Sequence, residues 1–78
     1  MQKTIHTQQQ QRLCELLIEA RQKANLTQIQ VVERLGRPQS FVAKCEGGER
    51  RLDVIEFLAV AEALGVEPGS ILAALVRE

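Results

Sequence analysis

The segment TQIQVVERLGRPQSFVAKCEGGER, residues 27 to 50, constrains this chain more than any other. Its punctuation leaves room for two short helices and a tight turn between them. Thr27 caps the first, and Gln30 completes a T-x-x-Q capping box. Val31, Val32 and Leu35 give that helix an apolar face at helical spacing. Gly36 follows, the residue type that ends helices in a left-handed conformation. Pro38 suits the first turn of a new helix, where its missing N–H costs nothing. Val42 and Cys45 point back toward the core, Gln39, Ser40, Ala43 and Lys44 point away, and Gly47-Gly48 stops the second helix.

Two short helices joined by a turn of about 3–4 residues, the second with a polar outer face, form the helix-turn-helix unit that reads the DNA major groove. The stretch resembles the phage Cro/repressor (Xre-like) helix-turn-helix family. Thr27-Gln28, Leu35-Gly36, Gln39-Ser40, Val42 and Glu46 through Arg50 stand where that family's pattern has similar residues. The resemblance extends over roughly residues 12 to 75. Val32 departs from the family's usual Ala, and Cys45 from its usual Leu, Ile or aromatic; the larger and smaller residues can compensate in volume. The resemblance implies an all-α, five-helix bundle of the lambda-repressor-like DNA-binding type.

The chain as a whole agrees with an all-α reading. No sustained period-2 alternation marks a strand, and 45% apolar residues exclude compositional disorder. Seventy-eight residues suffice for a single modest core. Residues 1–6 lack periodicity and are expected to form a flexible tail, with one domain over 7–78. Thr7 and Gln10 offer a capping box for helix 1, expected from about Gln8 to Ala24 with Leu13, Leu16, Leu17, Ala20 and Ala24 as its stripe. Its four leading glutamines read as a solvated helix start rather than a DNA contact. Asn25 is its stop. Asp53 and Glu56 form a second D-x-x-E box. Helix 4, about Val54 to Leu64, is apolar on nearly all sides and is therefore expected to be the central core element. Gly65 ends it, and Pro68 opens helix 5, which runs to about Val76.

Net charge is zero, but its distribution is uneven. Residues 34–51 hold five basic and two acidic residues, while residues 52–78 hold one basic and five acidic. A neutral chain with a locally basic face is compatible with DNA binding through few phosphate contacts. Glutamine suits the adenine edge, lysine the guanine acceptors, and a methyl group the thymine methyl. Gln39 and Ala43 are thus candidate base contacts, and the resemblance implies the same role for Gln39, Ser40 and Lys44. Gln28, at a helix N-terminus, and Arg37, Arg50 and Arg51 are the candidate backbone contacts. The resemblance implies that Gln28 also braces Gln39, and that Arg21 and Glu46 form a structural ion pair. Phe41 fits either the core edge or a sugar contact.

A catalytic reading fails on inventory. His6 stands alone, neither Cys14 nor Cys45 has a neighbouring base, and there is no metal-ligand set or phosphate loop. The two thiols read as inert core residues, with redox sensing the alternative. No cofactor, metal or membrane association is expected, and the absence of a signal or spanning segment suggests a cytoplasmic, nucleoid-associated protein. One helix-turn-helix covers a half-site, so a homodimer on a palindromic operator in double-stranded DNA is expected. Helix 5 supplies the candidate dimer interface, with Ile71, Leu72, Leu75 and Val76 covering two sides. A transcriptional repressor is the main expectation. The alternative is an antitoxin-like or adaptor module of the same fold that binds a protein partner.

Overall fold

The computed structural model describes residues 2–77, with side chains from Gln8 onward. The side chains of His6 and Thr7, and all of Glu78, lie outside the described residues. Five helices follow in order: α1 Gln2–Lys23, α2 Gln28–Leu35, α3 Gln39–Glu46, α4 Val54–Leu64 and α5 Pro68–Arg77. Among the described residues there is no strand, and no single helix is long and apolar enough to cross a membrane.

The local chemistry accounts for the helix ends. Thr27 and Asp53 each accept the N3 backbone N–H, while the Gln30 and Glu56 side chains accept the N–H of the cap residue. Gly36 closes α2 at φ 71°, and its N–H donates to Val32 O. At the end of α1 the left-handed residue is Asn25, φ 59°, and the N–H of Leu26 returns to Arg21 O. Two boundaries differ from the expectation. The helix of α1 begins at Gln2, not Gln8, because no glycine or proline interrupts residues 2–7. Pro38 occupies the N-cap of α3 in extended conformation instead of its first turn, and no side chain caps that end.

One cluster forms the core. Leu17 of α1, Val31 of α2, Phe41, Val42 and Cys45 of α3, Phe57 and Leu64 of α4 and Ile71 of α5 all bury into it. α1 packs along α3, α4 and α5, while α2 packs on α3 and α4. Cys14 is buried as well, and its thiol donates to Cys45 O at 3.0 Å, joining α1 to α3. Burial pushes both thiols above their ordinary pKa. On α2, Arg34 Nη1 donates to Ala63 O and satisfies a carbonyl in the last turn of α4.

α4 is a core element, as expected, but it also keeps an apolar side at the surface. Phe57, Val60, Ala61, Ala63 and Leu64 face inward, but Val54 and Ile55 are 71% and 74% exposed and Leu58 is exposed too. Apolarity on every side shows that a helix has no polar face. It does not show that the fold supplies neighbours for every face.

Candidate nucleic-acid interface

α3 divides cleanly into two faces. Phe41, Val42 and Cys45 are buried, whereas Gln39, Ser40, Ala43 and Lys44 are exposed. The spacing puts Gln39 and Ser40 in the first turn and Ala43 and Lys44 one turn further along, on the same side. α3 therefore presents a polar, partly basic surface while its other side anchors it to the bundle.

The C-terminal end of α3 is fastened by Glu46. Arg21 of α1 donates through Nε to Glu46 Oε2 at 2.7 Å and through Nη2 to Oε1 at 3.2 Å. Its Nη1 donates to Leu26 O at 2.9 Å. The two side chains are only 16% and 12% exposed. Gln28, first residue of α2, donates its Nε2 to the same Glu46 Oε1 at 2.9 Å. The resemblance implied that Gln28 would brace Gln39; in this structure its amide is committed to Glu46 instead.

The N-terminal end of α3 is flanked by a second cluster. Arg50, in the loop after α3, donates through Nη1 and Nη2 to the two Glu56 oxygens, each at 2.9 Å. Arg37 Nη1 lies 3.5 Å from Glu56 Oε2. Both guanidinium carbons sit over the Phe41 ring, at 4.6 and 4.7 Å from its centroid. The hydrogen bonds from Arg50, with that from the Asp53 N–H, lower the Glu56 pKa to about 2, and the same pair raises that of Arg50. Gln10 Nε2 donates to Arg50 O at 3.4 Å, so one of the leading glutamines of α1 braces this loop. Arg51 is exposed and has no side-chain partner among the described residues.

Sequence reasoning missed the second role of Glu56. It was assigned only to the capping box, although an acidic residue six positions after Arg50 was a visible charge complement. Phe41 resolves to the core side, buried beneath the two arginines. Among the described residues no group of three or more His, Cys, Asp or Glu side chains is arranged to hold a metal ion.

The α5 candidates separate into two pairs. Ile71 is buried in the core and Leu75 is half-buried, while Leu72 and Val76 are exposed. Ile71 therefore cannot offer surface to a second molecule, because the monomer's own core consumes it.

A family profile described as a helix-turn-helix domain matches residues 12–75. Among solved structures, the chain is similar to an XRE-family like protein from Pseudomonas syringae pv. tomato str. DC3000, at 50% identity over 97% of this chain and 93% of that one, with a TM-score of 0.92. It is also similar to the restriction-modification controller protein C.AhdI from Aeromonas hydrophila, at 27% identity, 80% and 94% coverage and a TM-score of 0.74. The clp gene regulator ClgR from C. glutamicum shares the fold at 18% identity, with 87% and 88% coverage and a TM-score of 0.79. No curated protein sequence matches the chain.

Proposed function

This chain belongs to the XRE-like helix-turn-helix family, and on that premise we propose that it is a sequence-specific regulator of transcription, a repressor, that binds double-stranded DNA. The observation that carries the reading is the two-faced α3: four exposed residues of the types that contact base edges, on a helix whose other side is locked into the core. Gln39, Ser40, Ala43 and Lys44 contact bases in the major groove. Arg37, Arg50 and Arg51 take phosphates, together with the N-terminus of α2 at Gln28. Gln28 serves there mainly through its backbone, since its side chain is held by Glu46.

The active form is a homodimer on a palindromic operator, working on the nucleoid in the cytoplasm. Two half-sites about one helical turn apart are what a two-fold dimer would address. Leu72, Leu75 and Val76 are the remaining α5 candidates for its contact. The apolar side chains exposed on α4 and α5 also favour a second reading, an adaptor or antitoxin-like module bound to a protein partner.

Selection from a pool of random duplex DNA tests both readings. Enrichment of a palindromic motif is the expected result. A pool that stays random after several rounds would leave the protein-partner reading standing alone. Sedimentation across a concentration series, with and without Leu72→Glu, tests the dimer. A wild type that is monomeric throughout, on and off DNA, removes it.

A further inference from the structure

Glu56 holds two positions at once. Its Oε1 accepts the Asp53 N–H in the capping box of α4, and its two oxygens accept from Arg50 while Arg37 lies within ion-pair distance. The carboxylate cannot swing away without giving up its half of the α4 capping box. It stands beside two guanidiniums that crowd one aromatic ring on α3, the helix of the proposed groove contact. Like charges so placed repel each other, and the carboxylate offsets that repulsion. It also cancels part of the positive potential that the pair would otherwise turn toward DNA.

We infer that Glu56 is a positioning residue for DNA binding, an internal stand-in for phosphate that fixes Arg37 and Arg50 against Phe41 and weakens their attraction to DNA of arbitrary sequence. The inference rests on the DNA-binding reading above. A guanidinium uses the same planar fork for carboxylate and phosphate. A phosphate that recruits Arg50 must therefore replace Glu56 as its partner, and the net gain is smaller than for a free arginine. Random duplex offers little besides phosphates. A selected site offers phosphates in a fixed register with base edges, where arginines already in place lose less freedom on binding. Removing the carboxylate raises both affinities through charge but lowers the second through lost placement. Glu56 thus widens the gap between specific and indiscriminate binding.

Glu56→Gln isolates the charge, because glutamine retains the capping-box acceptor. Fluorescence anisotropy of wild type and E56Q is compared on random duplex and on duplex enriched by selection, between about 50 and 200 mM salt. Release of about one cationic charge steepens the slope of log K against log salt by about 0.9, so the ratio of E56Q to wild-type affinity on random duplex grows about threefold toward low salt. The selected duplex gains less. Adding R37Q and R50Q to E56Q abolishes the extra slope. Coincident slopes for E56Q and wild type, or an extra slope that survives loss of both arginines, overturn the proposal. Thermal melting reports whether each variant folds. Should E56Q not fold, R50Q alone decides: a slope loss well below about 0.9 is expected, and the full loss overturns the proposal. Wild type that binds no duplex at all removes the DNA-binding reading itself, a result distinct from wild type that binds with a slope equal to that of E56Q.

Discussion

α3 has an arginine–glutamate pair at its C-terminal residue Glu46 and another over Phe41 in its first turn, and the two pairs are made of the same bonds in different surroundings. At the C-terminal end, Arg21 and Glu46 meet through two hydrogen bonds with both side chains largely covered. At the N-terminal end, Arg50 and Glu56 also meet through two hydrogen bonds, but Arg50 is 37% exposed and the neighbouring Arg37 45%. Solvent access decides what each pair does. A covered pair is costly to break, because the surviving charge is left without water or partner. Glu56 is nearly as covered as Glu46, at 13%, but water and salt reach the guanidiniums, so this pair contributes less to stability. What can be replaced by water can also be replaced by a phosphate. The same chemistry thus acts as a fastening at one end of α3 and as an exchangeable contact at the other.

The largest effect expected from this contrast is at the covered end. Glu46→Ala strands Arg21 and also frees Gln28, and should lower the unfolding free energy by about 3–5 kcal/mol in chemical denaturation. A loss below about 1 kcal/mol would make the two ends alike and end the comparison. Next comes the face between them. Gln39→Ala should cost about 1–3 kcal/mol in binding to a selected duplex and relax specificity at one base position per half-site. Unchanged affinity in competition binding would move the recognition surface off α3. A smaller effect is expected at Arg51, which lacks the carboxylate that Arg50 has. Arg51→Ala should flatten the salt dependence by about 0.9 in log–log slope, more than Arg50→Ala does. The reverse order would show that Glu56 does not withhold Arg50.

The smallest effect is a pH dependence. Glu56 has its pKa lowered to about 2 from the ordinary 4.5, so its stabilising contribution is present above about pH 4.5 and is lost as pH falls toward 2. Wild type should therefore melt above Glu56→Gln at neutral pH, with the gap closing across that acid window. A gap that stays constant down to pH 2 would mean that the Glu56 charge is not its source.

Much of the fold was legible because its signals are local. Thr27 with Gln30, Asp53 with Glu56, Gly36 and Gly65 each act within one turn of chain, and residue type alone decides the geometry. The two-sided pattern of α3 was legible for the same reason. What was not legible depends on neighbours far along the chain. Val54, Ile55 and Leu58 look no different in sequence from Phe57 and Val60, and only packing separates those that find partners. Cys14 and Cys45 were legible as core residues, but the bond from the Cys14 thiol to Cys45 O, which joins α1 to α3, was not. Arg34 was counted with the basic face but is turned to the end of α4. Gln28 was expected to meet Gln39, and a carboxylate 18 residues away offered a stronger partner.

The Glu46 junction also bears on how fast the chain folds. It connects positions 25 and 18 residues apart, and the chain entropy of closing such loops grows only with the logarithm of their length. Leu17, Val31, Val42 and Cys45 supply buried contacts over that same part of the chain. The last half of α1 with α2 and α3 can therefore gather before α4 and α5 dock. Glu46→Gln is then expected to slow refolding in stopped-flow measurements while changing the unfolding limb little, and the opposite pattern would place this junction late. A nucleus located there would put Arg21, Gln28 and Glu46 under selection for folding speed while leaving the exposed face of α3 free to vary.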